Sequence, residues 1–272
     1  MATRIDGKKI ADDIKQYLLA KISLLDREVA FSIVYVGFDP VIDNFIEYKK
    51  KFGSDIGVSV EIYHFDEMID EQSLINAIHD ISKQSDGVIV QLPLPQHLNS
   101  QRVLDTVPVE KDIDMLSTHS RSLFASGNSK RFPPVTGAII EVLHSKNYLL
   151  NDKRIALVGY GNLVGKPFGA WLENQGIPFH IVDYVISEEM KKNLLKISDV
   201  IVAGAGVPHL ITGDEVKNNV VLLDAGTSEA GKKVVGDIHP SAQDKSLFYT
   251  PVPGGLGPIT IAILYRNLIE SL

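Results

Sequence analysis

The first candidate for a catalytic residue is a lysine that lies within a stripe of apolar residues. Four apolar residues recur at helical spacing in one segment, namely Ile42, Phe45, Phe52 and Ile56. Lys49 falls on the same stripe. Partial desolvation would lower the pKa of its ammonium and make a neutral amine, a general base, accessible near neutral pH. A lysine that extends from the edge of the stripe into water has the same spacing, so both interpretations stay open at this point.

Polar side chains at a strand end and in a following loop are the next candidates. Gln91 lies at the end of the predicted strand 86–92, and ligands of open α/β sheets bind beyond the carboxyl ends of the strands. The loop 107–114 carries Asp112 and Asp114. These two acids are either solvated loop residues, which is the usual case, or part of a site.

A proline- and glycine-rich stretch, Thr-Pro-Val-Pro-Gly-Gly-Leu-Gly-Pro-Ile-Thr at 250–260, precedes an apolar segment that is predicted to be the C-terminal helix. Its prolines fix φ, and its glycines permit positive φ and close approach of the backbone. A rigid turn of bare backbone beside a helix start suits the wall of a ligand site. A purely structural turn is the alternative.

A glycine turn follows the apolar strand 154–158. Gly159, Gly161 and Gly165 have the spacing G-x-G-x-x-x-G between a predicted strand and a predicted helix, which is the context that dinucleotide binding requires. Asp183 follows the next strand, 179–182, at about the interval of the ribose-binding acid in such folds. An acid there accepts hydrogen bonds from the ribose hydroxyls and repels a 2′-phosphate.

Two successive α/β patterns must position these residues. The first alternates predicted helices and strands at 5–19, 30–36, 40–56, 58–65, 70–84 and 86–92, which predicts a parallel sheet with right-handed crossovers. After an irregular segment, 124–134, and a helix, 136–147, the pattern restarts with strands at 154–158, 179–182, 199–203 and 220–224. The fold class is therefore α/β, with an N-terminal three-layer domain and a Rossmann-like nucleotide-binding domain.

Composition excludes several classes of function. The chain has 272 residues, a formal net charge of −7 and no cysteine. Nucleic-acid surfaces are usually basic, and disulfides, thiolate metal sites and a cysteine nucleophile all need cysteine. The eight histidines lack metal-ligand spacing, so no metal is expected. No apolar run has the length of a membrane span or a signal segment, so we expect no membrane association and a cytoplasmic location.

Taken together and in order, eight motifs resemble the methylenetetrahydrofolate dehydrogenase/methenyltetrahydrofolate cyclohydrolase family of the FolD type. They are Ile5-Asp-Gly-Lys, Val36-Gly37-x-Asp39-Pro40, Lys49, Gln91-Leu-Pro-Leu-Pro95, Lys111-Asp-Ile-Asp114, Val164-Gly-Lys-Pro167, Val235-Gly-Asp237 and Thr250-Pro-Val-Pro-Gly-Gly-Leu-Gly-Pro258. The resemblance runs nearly end to end. A small-acid dehydrogenase with a Rossmann domain is a distant alternative, against which the QLPLP and proline–glycine segments argue.

The resemblance implies a fold, a pair of reactions and an assembly. A folate and catalytic domain, residues 1–119 plus 257–272, and a Rossmann-like NAD(P)-binding domain, residues 120–256, would be joined by two helices with a cleft between them. The enzyme would oxidise 5,10-methylenetetrahydrofolate with a nicotinamide cofactor and hydrolyse the methenyl product, as part of one-carbon metabolism and purine biosynthesis. Members of the family are usually homodimers through the Rossmann domain.

The resemblance also assigns residues to roles. Lys49 would be the catalytic lysine, Gln91 its hydrogen-bond partner and Asp114 the carboxylate that holds the pterin. The folate-binding residues would be Phe45, Val90, Leu92, Pro253, Gly254, Gly255, Gly257, Pro258 and Ile259. The cofactor-binding residues would be Gly159, Tyr160, Gly161, Val164, Gly165, Asp183 and Thr227.

The sequence departs from the family pattern at several positions. Phe45 replaces a tyrosine four residues before the lysine, which removes a hydroxyl and bears on the hydrolytic step. Met115 replaces a glycine after Asp114, Gly161 replaces a serine, and the segment 132–137 is largely changed. These changes leave a dehydrogenase-only or non-catalytic folate-binding protein as the alternative. Asp183 favours NAD over NADP.

Overall fold

The computed structural model of the protein describes residues 2–230 and 233–272. Within that part of the chain the strands are β1 Thr3–Arg4, β2 Val29–Val36, β3 Val58–Phe65, β4 Gly87–Val90, β5 Ile155–Val158, β6 His180–Val182, β7 Val200–Ala203, β8 Val220–Asp224, β9 Ser228–Ala230, β10 Lys233–Val235 and β11 Ser246–Tyr249. The helices are α1 Gly7–Ile22, α2 Pro40–Asp55, α3 Glu71–Gln84, α4 Ser100–Leu104, α5 Thr118–Ala125, α6 Pro134–Ser145, α7 Gly165–Asn174, α8 Glu188–Ile197, α9 Pro240–Gln243 and α10 Leu256–Ile269.

The chain forms two compact units, which we call the three-stranded unit and the six-stranded unit after their sheets. The three-stranded unit comprises Asp12–Phe124, Asn128–Pro134 and Ile261–Leu272. The six-stranded unit comprises the N-terminal residues through Ala11, Ala125–Gly127 and Val135–Thr260. The N-terminal residues cluster with the six-stranded unit because β1 pairs in parallel with β11, a pairing that the predicted domain boundaries did not include.

The three-stranded unit has a parallel sheet in the order β3-β2-β4. Its central strand, β2, reads Val-Ala-Phe-Ser-Ile-Val-Tyr-Val and is buried almost throughout, as expected of a parallel strand covered on both faces. Val34, on β2, lies in register with Val90 at the end of β4. The core on one side of the sheet also includes Leu74 and Ile78 of α3. The predicted parallel sheet is confirmed.

Helix caps fix where α2 and α3 begin. The Asp39 carboxylate accepts hydrogen bonds from the N–H groups of Val41 and Ile42, and Pro40 occupies the first turn, as the sequence predicts. Asp70 caps α3 in the same way through the Ser73 N–H. The start of α2 is thereby set at the carboxyl end of β2, the edge of the sheet where Gln91 also lies.

The six-stranded unit has a parallel sheet in the order β1-β11-β8-β7-β5-β6. The order reverses at β5, with β6 on one side and β7 on the other, so the loops that follow β5 and β7 lie at a topological switch point. Strands β5, β7 and β8 are buried throughout. The Rossmann-like pattern is confirmed, while β11 and the β9–β10 antiparallel hairpin were not predicted. Among the described residues no helix is both long and apolar enough to span a membrane.

Candidate active site

Lys49 and Gln91 form the centre of the polar site in the three-stranded unit. The Lys49 Nζ donates a hydrogen bond of 2.6 Å to the Gln91 Oε1. The Gln91 amide nitrogen donates to the Leu92 carbonyl, and its backbone N–H donates to the Val34 carbonyl, which continues the sheet hydrogen bonding past β4. The glutamine side chain is therefore fixed at both ends, and it aims its carbonyl oxygen at the lysine.

The buried face of α2 differs from the predicted stripe. Ile46 and Gly53 are the buried residues of the helix, whereas Phe45 is 39% exposed. Lys49 lies on the flank of the buried face and is partly buried. The prediction that Phe45 lies inward is wrong, because the helix turns Ile46 toward the sheet. Tyr48, the adjacent tyrosine, is 63% exposed.

The protonation of Lys49 is coupled to that of Asp114. Burial lowers the pKa of the Lys49 ammonium, and the negative charge of Asp114 opposes that shift. Burial raises the pKa of Asp114 to about 6, with Lys49 lowering it and Asp112 raising it. The arrangement thus favours the neutral amine more than water does, with a carboxyl group whose pKa is about 6 acting on it, which suits general acid–base chemistry.

The loop that carries Asp114 is held by side chains that sequence reasoning did not single out. The Arg131 guanidinium donates to the carbonyls of Val109 and Glu110, and the Asn267 amide donates to the Ile113 carbonyl at 2.9 Å. Arg131 and Asn267 are distant from the loop in sequence, and no local pattern marks them.

Asp112 differs from Asp114 in its partners. Its buried carboxylate accepts hydrogen bonds from the N–H groups of Leu116 and Ser117. Of the two interpretations that the sequence left open, the solvated loop acid therefore does not apply to Asp112. Its hydrogen bonds go to the backbone of its own loop, which makes it a structural residue.

Met115 has a left-handed backbone, with φ of 60°, and its side chain is buried. Glycine adopts this conformation without steric cost, whereas methionine does not. The backbone after Asp114 therefore has a conformation that glycine favours, and the methionine side chain fills adjacent core.

The remaining predicted folate-binding residues of this unit have differing exposure. Val90 is buried within β4, and Leu92 is partly buried directly after it. Both flank Gln91, and Phe45 lies one helical turn before Lys49. The structure thus brings Lys49, Gln91 and Asp114 together. The three apolar residues lie next to Gln91 in the chain or one helical turn before Lys49.

The proline–glycine stretch belongs to the six-stranded unit up to Thr260, and it packs against the start of α1. The Gly7 N–H donates to the Gly254 carbonyl at 3.0 Å, and a Cβ on Gly7 would lie 1.7 Å from the Gly255 carbonyl oxygen. Gly254 has a φ of +95°, a conformation that favours glycine. Two of the quoted motifs therefore owe their glycines to one close backbone contact.

The side chains of this stretch are divided between surface and core. Pro253, Gly254 and Gly257 are exposed, and a Cβ on Gly257 would meet no atom within 4 Å. Pro258 is partly buried. Gly255 and Ile259 are buried, so neither residue is accessible at the surface.

The glycine turn after β5 is tightly packed at two of its three glycines. Gly159 has a φ of +84°, and a Cβ there would lie 2.7 Å from the Ala205 Cα. A Cβ on Gly165 would lie 2.2 Å from the Gly159 carbonyl oxygen. Val164, which is buried, occupies the N-cap position of α7 without a side-chain cap. The open helix start and the close-packed glycines fit a bound pyrophosphate.

The other predicted cofactor residues surround this turn or follow neighbouring strands. A Cβ on Gly161 would meet no atom within 4 Å, and Tyr160 is partly buried. Asp183 directly follows β6, where its Oδ1 accepts a hydrogen bond of 3.0 Å from the Val185 N–H. Thr227 is exposed after β8. The turn and Asp183 therefore occupy the carboxyl ends of adjacent strands, as predicted.

An aspartate pair behind the loop after β7 was not predicted as part of a site. The Asp237 carboxylate accepts hydrogen bonds from the N–H groups of Ala205, Gly206 and Val207. The Asp224 carboxylate in turn accepts from the Asp237 N–H. Burial raises the pKa of Asp224 to about 6, although its backbone hydrogen bonds oppose the shift. Asp237 thus fixes the loop that faces the glycine turn. Among the described residues no group of acidic residues and histidines could hold a metal ion.

Comparison with known proteins identifies the family. Residues 5–114 match the tetrahydrofolate dehydrogenase/cyclohydrolase catalytic domain, and residues 133–272 match the NAD(P)-binding domain of the same family. The chain is 32% identical to the bifunctional protein FolD of Clostridium novyi over 282 residues, covering 100% of both chains. It is 34% identical to that of Mycoplasma mobile over 271 residues, covering 98% of this chain and 95% of the relative.

Solved structures agree with the sequence relatives. The bifunctional enzyme FolD of Campylobacter jejuni is 28% identical, with a TM-score of 0.94 over 100% of this chain and 98% of that chain. A shikimate 5-dehydrogenase from Thermus thermophilus, at 13% identity, shares the fold alone, with a TM-score of 0.53 over 89% of this chain and 98% of that chain. The protein belongs to the tetrahydrofolate dehydrogenase/cyclohydrolase family of NAD(P)-dependent enzymes.

Proposed function

We propose that the protein oxidises 5,10-methylenetetrahydrofolate with a nicotinamide cofactor and hydrolyses the resulting 5,10-methenyl cation to 10-formyltetrahydrofolate. The observation that carries the proposal is the 2.6 Å hydrogen bond between Lys49 and Gln91, in a setting that lowers the pKa of the lysine. Its family relatives are named as bifunctional enzymes of this type.

Lys49 is the proposed base of the hydrolytic step. Water attacks the electrophilic carbon of the methenyl cation, and the neutral Lys49 amine accepts a proton from that water as the C–O bond forms. The bond from that carbon to one of the two ring nitrogens then breaks, as protonated Lys49 returns its proton to the departing nitrogen and the hydroxyl releases its proton to solvent, which leaves the formyl group on the other nitrogen. A cationic substrate beside Lys49 lowers the pKa of the lysine further, so binding itself favours the reactive amine. Gln91 orients the amine, because its side-chain carbonyl oxygen accepts a hydrogen bond from the Lys49 Nζ.

Asp114 is the proposed ligand of the pterin. A carboxylate accepts hydrogen bonds from a ring N–H and an exocyclic amine that lie side by side, and binding such donors favours its charged form. The pKa near 6 in the free protein then falls on binding. Proposed apolar contacts to folate come from Phe45, Val90 and Leu92, and proposed backbone contacts come from the stretch Pro253–Ile259.

The six-stranded unit is the proposed nucleotide site. The uncapped start of α7 and the turn at Gly159, Tyr160 and Gly161 would bind the pyrophosphate, and Thr227 would contribute from the segment after β8, two strands away from β5 in the sheet. When bound, the nicotinamide ring would accept the hydride from the folate. The family name of residues 133–272 supports this assignment, and with it the proposed division into a folate domain and a nucleotide domain.

We propose NAD as the preferred cofactor. Asp183 directly follows β6, and its hydrogen bond to the Val185 N–H restrains its carboxylate there. A carboxylate at that place accepts ribose hydroxyls and repels a 2′-phosphate. Rates with NAD and NADP should be compared for the wild type and Asp183→Asn. The ratio of kcat/KM for NADP to that for NAD should rise about tenfold in the variant, and an unchanged ratio would contradict the assignment.

The function is tested by following methenyltetrahydrofolate absorbance with purified protein. A rise on adding cofactor measures the dehydrogenase, and decay of added methenyl substrate above the buffer rate measures the hydrolase. Lys49→Met should abolish the enzymatic decay, while Lys50→Met on the exposed side of α2 serves as a control. Absence of turnover with either cofactor would overturn the proposal.

A dehydrogenase-only enzyme is distinguished by the Phe45→Tyr variant. Phe45 lacks the hydroxyl that family members place one helical turn before the lysine. If the hydroxyl limits hydrolysis, Phe45→Tyr should accelerate methenyl decay and leave hydride transfer unchanged. An equal rate of decay in the wild type and Phe45→Tyr would show that the missing hydroxyl does not limit hydrolysis.

We also propose that the protein is a homodimer through the β6 edge. β6 lies at the end of the six-stranded sheet, and its Ile181 is 38% exposed on a strand with unpaired backbone groups. Sedimentation should show a dimer that Ile181→Asp dissociates. Leu247→Asp, at an exposed apolar position on the interior strand β11, should leave the dimer intact. A monomeric wild type would contradict the proposal.

A further inference from the structure

A tyrosine on α10 reaches the backbone carbonyl of Lys49. Tyr265 is completely buried. Its ring stacks on Phe52 of α2 with centroids 5.1 Å apart, and it meets Phe31 of β2 edge-on at 5.3 Å. Aromatic contacts on two sides fix the direction of the phenol.

The phenol hydroxyl lies at one rung of the α2 hydrogen-bond ladder. It donates a hydrogen bond of 2.6 Å to the backbone carbonyl of Lys49. The backbone of Gly53 lies close to this hydroxyl. Lys49 and Gly53 are four residues apart, the pair whose carbonyl and N–H an α-helix joins. The hydroxyl thus bonds the Lys49 carbonyl and lies beside Gly53, in the turn of α2 that begins at Lys49.

Gly53 is what allows this approach. A Cβ on residue 53 would lie 2.4 Å from the Tyr265 Oη and 2.5 Å from the Val60 Cγ2. Any other residue would displace the hydroxyl or the helix. Burial raises the pKa of the Tyr265 phenol, so the hydroxyl keeps its proton and remains a donor across the physiological range.

We propose that Tyr265 is a positioning residue for Lys49, acting through the lysine backbone. The inference rests on the proposed role of Lys49 as the base. Tyr265 has no bond to the Lys49 Nζ. It fixes the place at which the Lys49 main chain sits, and the short bond from Nζ to Gln91 depends on that place. A displacement of about 1 Å in a reacting group can cost about 100-fold in rate.

The first measurement is kinetic and compares Tyr265→Phe with Tyr17→Phe. The Tyr17 hydroxyl donates to the Glu270 Oε1, directly after α10, so its loss removes an exposed tyrosine hydrogen bond that does not involve Lys49. Tyr265→Phe should lower kcat for methenyl hydrolysis by about 10- to 100-fold, with KM changed less than about threefold. Tyr17→Phe should leave both unchanged. Equal kcat in wild type and Tyr265→Phe would overturn the proposal.

The second measurement does not need turnover. Competitive labelling of folded protein with trace acetic anhydride across a pH series, resolved by mass spectrometry, reports the pKa of Lys49, with exposed Lys50 as an internal reference. Displacement of the lysine toward solvent should raise the pKa of Lys49 by about one unit in Tyr265→Phe and leave Lys50 unchanged. Gly53→Ala, which displaces the hydroxyl from the other side, should act in the same direction.

The two measurements separate the two proposals. An inactive wild type whose Lys49 pKa still responds to Tyr265→Phe would overturn the proposed function and support the positioning role. An active wild type whose Lys49 pKa is unchanged in both Tyr265→Phe and Gly53→Ala would overturn the positioning role alone.

Discussion

Asp114→Asn should stabilise the folded protein near neutral pH, in a pH-dependent way. Burial raises the pKa of Asp114 from 3.8 to about 6. The folded state therefore binds the proton more tightly than the unfolded state, and wild-type stability falls as the pH rises from about 4 to about 6. At 1.36 kcal/mol per unit, this shift corresponds to a cost of about 3 kcal/mol once the carboxylate is ionised.

The expected gain in the free energy of unfolding of Asp114→Asn is smaller than this cost, because Lys49 loses the negative charge of Asp114. Asp114 opposes the lowering of the Lys49 pKa, so the asparagine variant leaves a buried ammonium less compensated. We expect a gain of about 1–3 kcal/mol at pH 7.5 that shrinks toward zero near pH 4. Urea unfolding at pH 4.0, 5.5 and 7.5 measures it.

Asp86→Asn is the matched control with the opposite sign. Burial raises the pKa of Asp86, but hydrogen bonds from Arg27 and the Ala30 N–H outweigh that effect and hold the pKa below its usual range. Asp86 therefore contributes stability above the unfolded pKa that is lost as the pH falls through the folded value. Asp86→Asn should destabilise most at pH 7.5. A less stable Asp114→Asn at pH 7.5, or a difference independent of pH, would refute the reasoning.

Four further substitutions test the packing of the sites. Gly161→Ser should leave the urea midpoint unchanged because a Cβ there meets nothing, whereas Gly159→Ala should destabilise by more than about 1 kcal/mol, because its φ is positive and Ala205 backbone is in the way; equal midpoints would contradict this. Asp237→Asn should raise KM for the cofactor without altering enzymatic methenyl decay, because the carboxylate accepts three N–H bonds from the loop after β7; an unchanged KM would argue against a role for that loop. Met115→Gly should relieve the strain of the left-handed backbone but leave a cavity where the side chain was. Calorimetry should therefore show that the free energy of unfolding falls by about 1–3 kcal/mol.

The sheets and helix starts could be predicted because their signals are local. β2 is an unbroken apolar run, and α2 begins with an aspartate and a proline whose preferences are set by the backbone itself. β11 escaped prediction because its sequence, Ser-Leu-Phe-Tyr, is not a continuous buried apolar run, and only its pairing with β8 and β1 makes it a strand. The inward face of α2 was misjudged because Phe45 and Ile46 are both apolar, and the sheet alone decides which of them is buried.

The contacts that organise the site could not be predicted, because they join residues far apart in the chain. The Tyr265 hydroxyl donates a hydrogen bond to the Lys49 carbonyl, 216 positions away in the sequence. The Asn267 amide donates to the Ile113 carbonyl, 154 positions away. Nothing in the local sequence of α10 distinguishes either residue from ordinary members of an apolar helix.

The functional groups available for chemistry follow from the amino-acid sequence alone: a lysine, a glutamine, an aspartate and two glycine-rich segments are present, and cysteine is absent. The order of the two α/β patterns that carry these groups is likewise encoded locally. The protonation and orientation of the groups depend instead on tertiary contacts. Lys49 and Gln91 are 42 positions apart, and their hydrogen bond exists because two parallel strands and a helix start share one sheet edge. The pKa values of Lys49 and Asp114 are set by desolvation, and desolvation depends on neighbours that folding brings together.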